Sequence, residues 1–206
     1  MGRPEQELYA ELRRRGIPDE IVAAMARVPR ELFAPSGFGD RAYANEPLPL
    51  PAGQTISQPY VVGRMCELLE LTGKESILDV GTGSGWHAAV LAQLGGRVVS
   101  IERHAALARL AERNLAAARA RNVTVVVGDG TRGFAIGAPF HAINVAAASR
   151  DAVPAALLEQ LAVGGRLVAP VDDRLVLVRR TAEGLEQAAH DGVRFVPLVA
   201  ANGDAA

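Results

Sequence analysis

Acids at successive strand ends and a glycine turn carry the first chemical signal. Residues 79–85 read DVGTGSG, an apolar strand running into a turn that opens a helix. Gly81, Gly83 and Gly85 let backbone approach a ligand closely, and the helix start offers N–H groups that lack intrahelical partners. Ser84 belongs to the same loop. Glu102 closes the second apolar run, RVVSIE, where a carboxylate accepts hydrogen bonds from both hydroxyls of a ribose. Asp129 closes the third, VTVVVGD, where its side chain meets an adenine amino group, with Gly130 beside it. Asp79 closes the first and either orients the turn or reaches a ligand ammonium. A single acid at a strand end is as readily a loop cap. Successive acids beside a glycine turn point to a nucleoside-bearing cofactor.

The glycine spacing is selective. A dinucleotide fingerprint reads G-x-G-x-x-G, and Trp86 stands where its third glycine belongs. The G-x-G-x-G present instead is the form typical of S-adenosylmethionine-dependent methyltransferases, so S-adenosylmethionine is the expected cofactor. Several methyl acceptors are disfavoured. Residues 144–149, NVAAAS, contain no Asn/Asp-Pro-Pro-aromatic loop of the kind that amino-methyltransferases carry. No cysteine is placed to attack a pyrimidine. His87, His104, His141 and His190 are single and widely spaced, so no metal for a catechol is expected. A second polar stretch, GQTISQP at residues 53–59, holds hydroxyls and amides but no charge.

These groups need a scaffold to bring them together. Residues 5–15 and 18–28 read as helices, the second opened by Pro18 and Asp19. Pro35, Pro47, Pro49, Pro51 and Pro59 make residues 34–59 extended or looped, and residues 60–71 return to helix. From residue 75, the runs SILDVG, RVVSIE, VTVVVGD and HAINVAAA alternate with WHAAVLAQLG, HAALARLAERNLAAARA and DAVPAALLEQLAVGG. Near-continuous apolar strands separated by helices predict a parallel sheet covered on both faces. RLVAPV, RLVLVRRT and VRFVPLV follow without intervening helices, so the sheet is expected to close with antiparallel strands. The organisation expected is one globular domain. Residues 1–74 form N-terminal helices and a substrate-side loop, 75–199 the cofactor-binding core, and 200–206 a frayed tail.

Composition narrows the setting. A chain of 206 residues with 49% hydrophobic content builds a full α/β core, and a net charge of −1 gives no bulk attraction for nucleic acid or anionic membranes. The single cysteine, Cys66, reads as a small buried hydrophobe and provides no disulfide framework, which favours a reducing compartment. The charged N-terminus and the absence of a long apolar run predict a cytoplasmic protein. A monomer is expected.

The stretch RAYANEPLPLPAGQTISQPYVVGRMCELLEL, followed by ILDVGTGSGWHAAVLAQL, GDGTRGF, APFHAINVAAAS, PAALLEQLAVGGRLVAPV and VRFVPLV, closely resembles the protein-L-isoaspartate (D-aspartate) O-methyltransferases. The resemblance runs from the helices near residue 8 to Val199. It implies a Rossmann-like class I methyltransferase fold, with a seven-stranded, mostly parallel sheet, antiparallel C-terminal strands and an N-terminal extension. It implies methyl transfer from S-adenosylmethionine to the α-carboxylate of an isoaspartyl residue in a damaged protein. The ester then closes to a succinimide without the enzyme, and hydrolysis returns some normal aspartate. The family's active-site serine falls on Ser57, and Gln54, Thr55 and Ile56 line the cofactor and substrate cleft.

A neutral stretch suits such a substrate. A carboxylate with a reference pKa of about 4 is ionised near neutral pH, so it needs positioning rather than a general base. The chain departs from the family pattern at Asn45 and His141, where acids are usual, and at Asp172 and Arg174, which replace Gly and Gln. Arg174 either clamps a carboxylate or joins Asp172 and Asp173 in a solvated turn. Other readings are esterification of an aspartate in a biosynthetic peptide, a small-molecule O-methyltransferase, a non-catalytic S-adenosylmethionine-binding protein and, weakest, an NAD-binding oxidoreductase. The biosynthetic relatives often carry additional C-terminal sequence.

Overall fold

The computed structural model describes residues 3–200. Helix α1 (Pro4–Arg14) buries Leu8 and Leu12, spaced one turn apart, and α2 (Asp19–Ala26) buries Ile21, Val22, Ala24 and Met25. Both contribute to the same apolar cluster as Trp86 and Leu91 of the later core. The proline-rich passage folds back on itself through β1 (Leu48–Pro49) and β2 (Thr55–Ile56), an antiparallel pair in which Leu48 faces Ile56. Both of those residues are buried, so the polar heptad is pinned by an apolar anchor in its middle. Helix α3 (Pro59–Leu69) starts on Pro59, whose missing N–H matters least in the first turn.

The remaining elements are β3 (Ser76–Val80), α4 (Trp86–Leu94), β4 (Arg97–Glu102), α5 (Ala105–Ala117), β5 (Val123–Val127), β6 (Phe140–Val145), α6 (Ala155–Glu159), β7 (Leu161–Val171), β8 (Arg174–Arg180) and β9 (Leu185–Gly192). The strands form one sheet in the order β5-β4-β3-β6-β7-β8-β9. Pairings from β5 through β7 are parallel, and β7-β8 and β8-β9 are antiparallel. Every residue of β3 is buried, as a strand covered on both faces requires. The chain leaves β3 toward β4 on one side and later returns to β6 on the other. This reversal opens a crevice at the carboxyl ends of β3, β4 and β6, the place where open α/β sheets bind ligands.

Two expectations need correction. The helix expected over DAVPAALLEQLAVGG is only Ala155–Glu159, because Leu161 already pairs with Phe140 and starts β7. Gly165 then packs so tightly on the carbonyls of Ala162 and His141 that a side chain has no room there. The final strand is Leu185–Gly192, not VRFVPLV. Strand β9 lies at the sheet edge with most of its residues exposed, so LEQAAHDG carries no apolar alternation to betray it. The apolar VRFVPLV segment instead crosses back over the crevice. Ala148 N donates to Val196 O at 2.8 Å, Leu198 N donates to Ala148 O at 2.7 Å, and Leu198 is buried. The tail expected over residues 200–206 lies, beyond residue 200, outside the described residues. Among the described residues no helix is long and apolar enough to cross a membrane.

Candidate active site

The glycine turn is tied to the end of β4. Gly81 N and Thr82 N donate to Ile101 O at 2.9 and 3.2 Å, and Gly83 N donates to Glu102 Oε2 at 2.9 Å. The other Glu102 oxygen accepts from His104 N at 2.9 Å. A carboxylate has about four acceptor positions, so two remain for a ligand's hydroxyls. Gly81 and Gly83 have positive φ (95° and 55°), and both line a cleft with Gln54, Thr55, Glu102 and Gly130. Gly85 also has positive φ, but it faces inward. A side chain there would press on Leu115 and Ala111, so Gly85 sets how closely α4 packs on α5. Ser84 lies in a second recess beside the turn, and Asn114 Nδ2 of α5 donates to its carbonyl at 2.9 Å.

Asp79 sits beneath the turn rather than in the cleft. It is fully buried; Ser100 Oγ donates to Oδ2 at 2.6 Å and Asn144 Nδ2 donates to Oδ1 at 2.7 Å. Since Ser100 spends its one proton on Asp79, Thr82 Oγ1 is the donor in the 2.6 Å contact with Ser100 Oγ. Asp79 therefore reaches the turn through Ser100 and Thr82, and of its two expected roles the geometry supports orientation. Burial pushes its carboxyl up to about 6, against the pull of the Ser100 and Asn144 hydrogen bonds. His87, on the other side of Asn144, lines the inner recess with Ser57. Burial pulls its pKa down to about 3, so the imidazole is neutral. Asp129 caps the turn after β5: its Oδ1 accepts from Thr131 N at 3.0 Å and Thr131 Oγ1 at 2.6 Å.

The heptad forms the facing wall. Thr55 borders the glycine-turn cleft, the inner recess and an outer groove of about 470 Å³, and Ser57 borders the recess and the groove. Ser57 therefore stands where the inner recess meets open surface. Its carbonyl accepts from Arg30 Nη2 at 3.1 Å. Arg30 is 1% exposed and also donates to the carbonyls of Ala42, Ala44 and Glu46, while its guanidinium lies 4.8 Å above the Trp86 ring. Burial lowers its pKa to about 10, so it stays charged at neutral pH. One buried cation thus ties the proline-rich loop to the heptad. No spacing marks Arg30 in the sequence, because its partners are backbone carbonyls, which every residue has.

The departures from the family pattern fall in different places. Asn45 Oδ1 accepts from Tyr60 N at 3.0 Å in the first turn of α3, and Nδ2 donates to Glu11 at 2.6 Å. An acid at 45 would keep the first bond and repel Glu11. His141 accepts from Ser76 N at 3.3 Å at the amino ends of the strands, opposite the crevice. Arg174 donates to His190 O at 3.2 and 2.8 Å and does not line the groove; Asp173 does, with Arg194. The groove's cation thus comes from VRFVPLV, which the strand reading had placed inside the sheet.

Residues 3–203 match the family model described as protein-L-isoaspartate(D-aspartate) O-methyltransferase. A protein-L-isoaspartate O-methyltransferase from Koribacter versatilis is 48% identical over 198 residues, 94% of this chain and 89% of that protein. Its counterpart from Photobacterium profundum is 50% identical over 193 residues, 92% of each chain. A solved protein-L-isoaspartate O-methyltransferase superposes with a TM-score of 0.85 at 27% identity, covering 93% of this chain and 65% of that one. The Plasmodium falciparum structure, a complex with S-adenosyl-L-homocysteine, shares the fold with a TM-score of 0.82 at 23% identity over 96% of this chain and 99% of that one. The chain belongs to the protein-L-isoaspartate(D-aspartate) O-methyltransferase family.

Proposed function

We propose that this protein methyl-esterifies the free α-carboxylate of L-isoaspartyl residues, and the free side-chain carboxylate of D-aspartyl residues, in damaged proteins, with S-adenosylmethionine as methyl donor. The observation that carries this reading is the position of Ser57 between the recess beside the glycine turn and the open groove. The residues present suit the cofactor: Glu102 keeps acceptor capacity for a ribose diol, and Gly81, Gly83 and Gly130 bring bare backbone to the cleft. When bound, S-adenosylmethionine supplies an electrophilic methyl group on a sulfonium.

The protein's own part is positioning. The acceptor carboxylate is ionised at neutral pH, so no side chain has to remove a proton. Ser57 donates a hydrogen bond to one carboxylate oxygen and leaves the other free to attack. Thr55, at the meeting of all three spaces, braces the same wall. The Arg30 bond to Ser57 O fixes where this wall stands. His87, neutral and close by, adds no charge to the recess. The single buried cysteine, Cys66, supports a reducing, cytoplasmic setting.

Methyl transfer to matched peptides tests the reading. Isoaspartyl peptides are expected to yield a base-labile ester and the aspartyl counterparts none. Ester on neither peptide would overturn it.

A further inference from the structure

The sequence DDR at residues 172–174 is resolved by the fold into three separate jobs. Asp172 takes a left-handed φ of 54° at the β7–β8 turn, with its N–H bonded to Ser149 O at 2.8 Å. Arg174 turns away to the His190 carbonyl. Asp173 alone borders the outer groove whose inner end holds Ser57. Val193 N donates to Asp173 O at 2.7 Å, which fixes Asp173 beside the segment carrying Arg194. Asp173 and Arg194 are the charged residues lining the groove, both exposed, and they form no ion pair with one another. Nearby Asp191 is held by Arg64 at 2.8 Å, and Asp172 and Arg174 carry opposite charges on the same turn.

Resting on the function proposed above, we propose that Asp173 is a specificity-determining residue that selects isoaspartyl sites with a lysine or arginine close by in the chain. The groove holds about 470 Å³, the size of a short peptide segment rather than a single side chain. A peptide laid with its isoaspartyl carboxylate at Ser57 must send a flanking residue past the outer lip. There Asp173 attracts a cation and repels an acid, and Arg194, on the neighbouring segment, lines the same groove. The carboxylate has no side-chain partner to give up, so a basic flank gains attraction without breaking a bond. The interaction is solvent-exposed, so it acts through binding and weakens with salt.

The test compares three isoaspartyl peptides that differ only in the flanking residues: Lys, Ala or Glu, placed on either side. Wild type is expected to show kcat/KM higher for Lys than for Glu by about two- to fivefold on at least one side, carried by KM and reduced at high salt. Asp173→Asn should shrink that ratio, and Asp173→Lys should invert it, with the change carried by KM rather than kcat. A Lys-to-Glu ratio identical in wild type, Asp173→Asn and Asp173→Lys would overturn the assignment while leaving the methyltransferase reading intact, because the Ala peptide would still be esterified. No ester on any of the three peptides with wild type would overturn both.

Discussion

Arg30 and Ser57 are joined by a 3.1 Å hydrogen bond from the buried guanidinium to the Ser57 carbonyl, across 27 residues of the N-terminal segment. The same guanidinium holds the carbonyls of Ala42, Ala44 and Glu46. The wall that borders the recess and the groove is thus set from inside the core rather than by the heptad's own turn. Arg30→Met should fill much of the volume but strand these acceptors, lowering stability by about 3 kcal/mol after partial rescue by water. Loss of kcat/KM for an isoaspartyl peptide should exceed loss of S-adenosylhomocysteine affinity. Urea unfolding, calorimetry and kinetics check this; unchanged stability and turnover would count against the role.

Asp79 predicts a pH dependence with a definite sign. Its folded pKa of about 6 lies above its ordinary value of 3.8, so between these pH values the folded protein keeps a proton that the unfolded chain releases. The stability tied to that proton is complete below about pH 4 and is lost as pH rises through 6, a change on the order of 3 kcal/mol. Asp79→Asn removes the titration. The unfolding free energy of the variant minus that of wild type should therefore rise by this amount from pH 4 to pH 7. A difference that stays flat across the range would show that the buried carboxyl ionises normally.

Glu102 grips the glycine turn with one oxygen and the start of α5 with the other. Glu102→Gln puts an amide N–H₂ against one of those two N–H donors and removes the charge that strengthens any bond to ribose hydroxyls. S-adenosylhomocysteine should bind roughly 10- to 100-fold more weakly by calorimetry, the value of a charge-assisted hydrogen bond of about 1.5–3 kcal/mol. A dissociation constant within twofold of wild type would remove Glu102 from cofactor binding and leave it a turn cap.

What the sequence makes legible follows from what kind of contact does the work. The strands β3, β4 and β6 are visible because burial on both faces demands near-unbroken apolar runs, whereas β5 is an edge strand with no buried residue and is visible only through its run of valines. The glycine turn is visible because positive φ at Gly81, Gly83 and Gly85 favours one residue type. Strand β9 is hidden because an exposed edge is held by backbone hydrogen bonds and asks nothing of its side chains. VRFVPLV misleads for the converse reason: its apolar residues are needed, but to cover the crevice rather than to join the sheet. Arg30 is hidden because its partners are carbonyls, and Asp79 is half-legible, since its place at the strand end is plain while its Ser100 and Asn144 partners come from two other strands.

Ser57 carries the most direct prediction. In the proposed role its hydroxyl donates to an ionised carboxylate, a bond worth about 1.5–3 kcal/mol, so Ser57→Ala should lower kcat/KM about 10- to 100-fold. Since an orienting residue abstracts no proton, the pH profile separates the proposed role from that of a general base. Wild-type kcat/KM should rise as the acceptor carboxyl ionises near pH 4 and then hold level toward pH 7. Ser57→Ala should follow the same curve at a lower height, with S-adenosylhomocysteine affinity within twofold. A profile that changes shape on substitution would assign proton transfer to this position. An unchanged rate at saturating cofactor would move the positioning to Thr55, the other hydroxyl on the same wall.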